Sequence, residues 1–387
     1  MRGTTTSDER RAGYIENAQL VATAHELRRS LDPPHQSLFR VVCILLYEDV
    51  SGKMRRITGT NCEPSTIGGS ICAERAAMCK LREVTDCKLV TKVVVVTDSP
   101  RPLPPGVLCR EFLSAHLPPC TPVIMAGSGD DTLLSDAGGF EYDKHDSQSP
   151  SVVNTDLDAK YHARTSEAEV AQSTCNCAKE ERSDEGAGQP RGTVPPRGGS
   201  GCIDMTTVGQ LYPWRNLYGL TPRGDQLRLG FVRQQASQNL SKAGVAESLG
   251  LDNATVDAYD KTQKATEDDN QDGVHPIRYA AAAVFPDGQL EITHQVKALE
   301  YGATLDPVTL LAPVLMRRAK GGIRPSCVLL VDQFGNLHAP FAQARTFLCE
   351  QGFGNTRVVV HGADGRLVVL KAQDLVPRVT TGGGSLC

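Results

Sequence analysis

Cys72 and Glu74 stand two residues apart at the start of a segment with helical spacing, Ile71 to Val84 (ICAERAAMCKLREV). Cys109 opens a second such segment, which runs to about His116. A thiol ionises more readily at a helix N-terminus, where unpaired backbone N–H groups supply partial positive charge, and far more readily against a bound Zn²⁺. A carboxylate two residues further along the same turn points elsewhere, so it can face a water near such a metal without ligating the metal. Taken alone, Cys-x-Glu is equally the mark of a buried cysteine beside an exposed glutamate. Its meaning depends on the elements that hold it.

Those elements can be read from periodicity. Residues 15–32 have helical spacing and stop before Pro33-Pro34; Phe39 to Tyr47 reads as a buried strand, and Met54 to Asn61 as its hairpin partner around Asp49–Lys53. Ser70 is the candidate N-cap of the Ile71 helix. Lys92 to Thr97 (KVVVVT) is a continuous apolar run of the kind buried on both faces. A proline-rich loop leads to the Cys109–His116 helix, and Pro122 to Ala126 is a further strand. From about 127 to 201 the chain is Ser, Asp, Glu, Gly and Pro with few large apolar residues; burial there cannot offset the entropy of ordering, so a disordered insertion is expected, with Cys175 and Cys177 inside it. Residues 202–214 regain strand-then-turn character, and 220–272 begins with a weak helical pattern (QLRLGFVRQQASQNL) and reads as a linker ending in the acidic EDDNQDG. From Val274 the order restarts: strand, Pro286-Asp287-Gly288 turn, strand, helix DPVTLLAPVLMRRA, strand, helix, and two more strands. Leu211-Tyr212-Pro213 and Leu375-Val376-Pro377 close corresponding stretches. This is the pattern of an internal repeat of one α/β unit, with the insertion between the last two strands of the first copy. The expected domains are 1–219, a linker 220–272, and 273–387.

Around the cysteines stand Gly59-Thr60-Asn61-Cys62-Glu63, then Gly68-Gly69-Ser70-Ile71 before Cys72-Ala73-Glu74-Arg75, and downstream Pro104-Pro105-Gly106-Val107-Leu108-Cys109-Arg110-Glu111. In this ordered combination the chain resembles the cytidine deaminase family, marked by a G-x-N-x-E strand, a T-x-C-A-E-R helix start and a P-C-G-x-C-R helix start. The resemblance covers about 17–126 and 202–214, and more weakly 274–377. It implies a three-layer α/β/α sandwich, here duplicated. It implies hydrolytic deamination of cytidine or deoxycytidine with zinc-activated water. Cys72 and Cys109 would be zinc ligands. Glu74 would take a proton from the water and deliver protons to the pyrimidine N3 and the leaving ammonia. Asn61 and Glu63 would hydrogen-bond the ribose, and Phe39 and Ala73 would line the substrate site. Each also has an ordinary reading: Asn61 capping a turn, Glu63 on the surface, Phe39 in the core.

The pattern breaks in two places. The family's third ligand, the first Cys of P-C-G-x-C, falls on Pro105 if Gly106 is aligned and on Gly106 if Cys109 is aligned without a gap; neither side chain binds metal. Cys79 lies seven residues beyond Cys72, about 10 Å along a helix, too far to share an ion with it. Cys120 and His116 are similarly remote from Cys109, and Cys62 should point away from Asn61 and Glu63. In the second copy Asp306 replaces the zinc Cys and Val308 the catalytic Glu. Val296 and Ala298 fall opposite Asn61 and Glu63, and Phe341 and Ala344 replace the second motif, so that copy is read as structural.

The 387 residues carry a net charge of −4 with 5% aromatics, which argues against a basic, ring-lined groove for nucleic acid. The N-terminal residues lack an apolar core and no apolar run reaches the roughly 18 residues of a membrane span, so a soluble cytoplasmic protein is expected. The resemblance implies a pyrimidine nucleoside as partner and, for a two-unit chain, a homodimer. The rival to catalysis is a non-catalytic nucleoside-binding or scaffold protein. A nucleic-acid deaminase ranks third.

Overall fold

The computed structural model describes residues 7–64, 67–128, 203–219 and 221–378. The expected disordered insertion, with Cys175 and Cys177, lies outside the described residues except for its first two positions.

In the first half the elements run α1 (Ser7–Ser30), β1 (Val41–Asp49), β2 (Met54–Thr60), α2 (Ala73–Arg82), β3 (Cys87–Thr97), α3 (Val107–His116), β4 (Pro122–Ala126), β5 (Asp204–Thr207) and α4 (Val208–Leu211). They build a five-stranded sheet in the order β2-β1-β3-β4-β5, in which only β3 and β4 run parallel. The pairing of β4 with β5 places residues 127–201 between the last two strands of this sheet, as the repeated order of elements suggested. The apolar run of β1 has a simple cause. Val42 and Ile44 pack with Val94, Val96 and Ile124 against Val21 and Ala24 of α1. Cys43 and Leu45 pack with Val93, Val95 and Met125 against Ala73, Ala77 and Met78 of α2 and Leu113 of α3. With both faces covered, hydrophobic positions need not alternate.

The second half comprises α5 (Arg223–Ala236), α6 (Val245–Ser248), α7 (Asn253–Ala265), β6 (Tyr279–Val284), β7 (Leu290–His294), α8 (Pro307–Leu310), α9 (Ala312–Lys320), β8 (Cys327–Asp332), α10 (Ala342–Glu350), β9 (Arg357–His361) and β10 (Leu367–Lys371). Its sheet, β7-β6-β8-β9-β10, has the same order and the same strand senses as the first. The helix expected over DPVTLLAPVLMRRA is broken at Leu311 into α8 and α9, and Pro313, which has no N–H to donate, sits in the first turn of α9.

The stretch 220–272, expected as a linker, carries α5 where the weak helical pattern lies and also α6 and α7, and α7 packs on the second sheet through Ala258 and Tyr259, against Ala282, Val284, Leu329 and Val331. Its buried face is Thr255, Ala258, Tyr259 and Thr262, and the two hydroxyls are satisfied locally, by Asp252 Oδ1 at 2.6 Å and the Ala258 carbonyl at 2.5 Å. A helix buried through threonines shows no apolar stripe, which is why the sequence hid it.

Two arginines join the halves in a reciprocal pattern. Arg110 donates to its own half at Pro105 O and Leu211 O and across to Pro377 O (2.7 Å). Arg345 donates to its own half at Pro340 O and Leu375 O and across to Pro213 O (2.9 Å) and Trp214 O (2.5 Å). Arg345 is 1% exposed, and its guanidinium lies 4.0 Å from the Tyr212 ring centroid. Arg345→Met keeps the bulk but strands these carbonyls. Hydrogen bonds to a charged donor are worth about 1.5–3 kcal/mol each, so a loss of about 3 kcal/mol or more is expected in urea unfolding. A loss below about 1 kcal/mol would mean that the carbonyls find other partners.

Candidate active site

The site is assembled where two helices begin. β2 crosses under the first turn of α2 so closely that a Cβ on Gly59 would run into the Ala73 carbonyl and the Ala77 N; glycine is required for that approach. The N-cap of α2 is Cys72, not Ser70: Cys72 has extended backbone (φ −71°, ψ 156°) and makes no side-chain capping bond, so its sulfur is left for other partners. The isolated bridge between Cys62 and Ile71 pins the preceding loop and so sets where α2 begins. The N-cap of α3 is Gly106, which places Cys109 three residues on, in the first turn. The Cys72 and Cys109 sulfurs and a Glu74 carboxylate oxygen all lie within 4.8 Å of one another, and no other group of three His, Cys, Asp or Glu side chains among the described residues converges in this way.

Burial sets the charge states. Glu74 is 4% exposed and Cys109 fully buried. Desolvation, and then the neighbouring Cys72 thiolate, raise the Glu74 carboxyl pKa to about 7. The hydrogen bond from Cys109, helped by Arg75, lowers Cys72 to about 6, against the opposing effect of burial. The same shared proton and burial push Cys109 well above the ordinary thiol range. The pair therefore ionises first at Cys72, and Arg75 balances that charge: its Nη2 lies 3.8 Å from the Cys72 sulfur and 2.6 Å from the Ser70 carbonyl that it holds.

The other expected site residues sit nearby in the chain but are engaged elsewhere. Asn61 accepts from Val41 N (2.9 Å) and donates to Phe39 O (2.8 Å), tying down the entry to β1. Glu63 accepts from the Gln36 and Ser37 backbone and from the Ser37 hydroxyl. Phe39 is half-buried, and Ala73 is wholly buried in the core beneath α2. Cys62, Cys79 and Cys120 are exposed and take no part in the cluster. Arg75 and Gly59 stand in the motifs quoted from the sequence, but their roles were not read from it. The role of Arg75 could have been read from its i,i+3 spacing to Cys72; that of Gly59 comes from a helix that starts 14 residues later, so the motif marks the glycine without giving its reason.

The internal comparison relates the two helix starts to each other. The Arg110 N–H bonds Gly106 O as the Arg345 N–H bonds Phe341 O, both at 2.9 Å, so Gly106 matches Phe341 and Cys109 matches Ala344. The Val296–Leu305 bridge repeats Cys62–Ile71, and Gln295 N bonds Tyr279 O as Asn61 N bonds Val41 O. Asp306 and Val308 thus match Cys72 and Glu74 as expected. The counterparts of Asn61 and Glu63 are Gln295 and Lys297, however, not Val296 and Ala298. The assignment from sequence had slipped by one residue, which in an extended segment moves every side chain to the other face.

Two thiols and a carboxyl meeting at positive helix ends, one thiol already favouring the thiolate, are a donor set that suits zinc. Fold and cluster together define an α/β protein with a thiol–carboxyl centre able to hold a metal. No family model matches the chain. It is 32% identical over 111 residues to the cytidine deaminase of Halalkalibacterium halodurans, a match covering 29% of this chain and 80% of that protein. The chain belongs to the cytidine deaminase family. Among solved structures it is similar to the cytidine deaminase of Mycobacterium leprae (22% identity, 33% of this chain and 100% of that one, TM-score 0.27). It is likewise similar to that of Burkholderia pseudomallei (22% identity, 28% and 84%, TM-score 0.24).

Proposed function

We propose that the first half is a hydrolytic deaminase of cytidine or deoxycytidine, and that the second half is a copy of the same three-layer sandwich that has lost the chemistry. The observation that carries this is the convergence of Cys72, Glu74 and Cys109 at two helix starts, a set that packing alone does not require. On this reading the catalytic unit is 1–219, the segment 220–272 belongs structurally with the second unit because α7 covers its sheet, and the two-unit chain forms a homodimer.

Cys72 and Cys109 would hold zinc, which when bound makes a water acidic enough to attack at neutral pH. Glu74 does the proton work. A carboxyl held near pH 7 by burial can accept a proton and return it without a large penalty in either direction. In the net reaction water adds at C4 of the base, N3 and the amino nitrogen gain protons, ammonia leaves, and a C4 carbonyl remains. Asn61 and Glu63 would hold ribose hydroxyls, which requires them to share or exchange the bonds they make to residues 36–41. Phe39 and Ala73 would shape the wall.

A second reading, a nucleoside-binding protein without catalysis, is favoured by one observation: the position three residues before Cys109 is a glycine, which leaves two thiols where three would be expected. Elemental analysis and an ultraviolet cytidine assay on wild type and Cys72→Ala separate the two. Catalysis requires one zinc per chain in wild type, lost with turnover in the variant. Wild type without zinc and without turnover would leave the second reading.

No helix among the described residues is long and apolar enough to cross a membrane.

A further inference from the structure

Cys109 stands in a helix start that has little of its own to fix it. The N-cap of α3 is Gly106, which offers no side chain to the free N–H groups of the first turn, and a Cβ added there would meet nothing within 4 Å. The chain enters through Pro104-Pro105-Gly106, and glycine is the residue that resists backbone rotation least. The order of this turn must come from what packs around it.

Much of it comes from the second half, at points on either side of Cys109. Val107, two residues before, packs against the apolar core of the second half. Arg110, the next residue, is 3% exposed and donates from Nε to Pro105 O at 2.7 Å, and from Nη1 to Leu211 O at 3.3 Å and Pro377 O at 2.7 Å. The Glu111 carboxylate accepts from Ala342 N at the start of α10. Arg110 therefore ties together the entry to α3, the end of α4 and the segment that follows β10. The Pro377 carbonyl is itself held from both sides, because Val376 is buried in the second core and Arg378 pairs with Asp204 of β5 at 2.7 Å.

The matching arginine makes the same kind of bonds with less to position. Arg345 holds Pro340 O as Arg110 holds Pro105 O. The helix start beside it carries Phe341 in place of Gly106, and that ring packs edge to face on Tyr279 at 5.1 Å. Ala344 stands where Cys109 does.

We infer that Arg110 is a positioning residue: by tying the start of α3 to Pro377 it lets the second half set where the Cys109 sulfur lies relative to Cys72 and Glu74. The second half, which has no such cluster among its described residues, thereby acts on the site without entering it. The inference rests on the proposed zinc site for one of its two readouts and not for the other.

The test compares Arg110→Met with Arg345→Met, which remove like sets of bonds, only the first beside the cluster. Urea unfolding gives the stability of each. Alkylation of Cys109 by iodoacetamide is followed in the metal-free chain under native conditions, by mass spectrometry of the peptide that carries it. Zinc affinity is measured by competition with a coloured chelator. Arg110→Met is expected to label Cys109 at least about tenfold faster than wild type, as a locally opened segment does. It is expected to bind zinc about tenfold more weakly, the scale on which changes around a ligand act. Arg345→Met, at a comparable loss of stability, is expected to leave both near their wild-type values. Equal effects of the two substitutions, or no effect of Arg110→Met, would overturn the inference and leave Arg110 a residue of the fold only. If Arg110→Met does not fold, Arg110→Lys, which keeps the charge and one donor group, is measured in its place, with a smaller change in the same direction expected. A wild-type chain that takes up no zinc would remove the proposed catalytic function, and the labelling comparison would still decide the role of Arg110.

Discussion

Replacing Glu74 by glutamine is expected to lower cytidine turnover by roughly 10²–10⁴-fold, the usual worth of a positioned acid–base group, while zinc content and folding are retained. Glutamine keeps the length and the shape but can neither accept nor return a proton. The fold does not rely on the charge: the carboxyl is buried, its pKa is already raised to about 7 by desolvation, it makes no ion pair among the described residues, and its hydrogen bond with Cys109 is one that a glutamine amide oxygen can keep. An amide in its place therefore removes a buried ionisable group rather than a stabilising contact. Zinc content measured alongside turnover is what gives the experiment its force. Turnover within about tenfold of wild type would take Glu74 out of the proton path; loss of zinc together with turnover would mean that the carboxyl is itself a ligand and that the centre is Cys72, Glu74 and Cys109 with no separate base.

The second large effect runs in the opposite direction. Gly106→Cys is expected to tighten zinc binding by more than about tenfold, on the scale by which changes around a metal move its affinity, as measured by competition with a coloured chelator. Position 106 lies three residues before Cys109 at the start of α3, so the two side chains share one face of the helix. Its backbone (φ −57°, ψ 154°) is one that any L-residue adopts, and an added Cβ meets nothing within 4 Å. The second half already carries a phenylalanine at the matching position, so the fold accepts a large side chain there. Tighter zinc with higher turnover would identify the first half as a deaminase weakened at one ligand. Tighter zinc with no turnover would point to the non-catalytic reading, and unchanged affinity would mean that a thiol at 106 does not reach the metal.

Much of this was legible in the sequence, and the legible parts share a property. Strands β1, β3, β6 and β8 are covered on both faces, so their apolar runs are continuous and unmistakable. Cys72, Glu74 and Cys109 each sit in the first turn of a helix or at its cap, and the spacing within one turn fixes which side chains share a direction. The order of elements restarts at Val274, and the order of strands is the same in both sheets. Every one of these is a relation between residues a few positions apart.

What the sequence could not supply depends on elements far apart in the chain. α7 was hidden because threonines and a tyrosine, not an aliphatic stripe, pack on its sheet. The match of Gln295 and Lys297 to Asn61 and Glu63 rests on backbone bonds between neighbouring strands, where one residue of slip reverses the face and leaves composition unchanged. The match of Gly106 to Phe341 came from comparing two helix starts 235 residues apart. A cavity of about 630 Å³ is walled by both halves at once. Short-range pattern determined which groups could do chemistry, because backbone geometry within a turn or strand is nearly invariant; only the tertiary structure decided which of them meet, because that depends on how closely packed surfaces let distant elements approach.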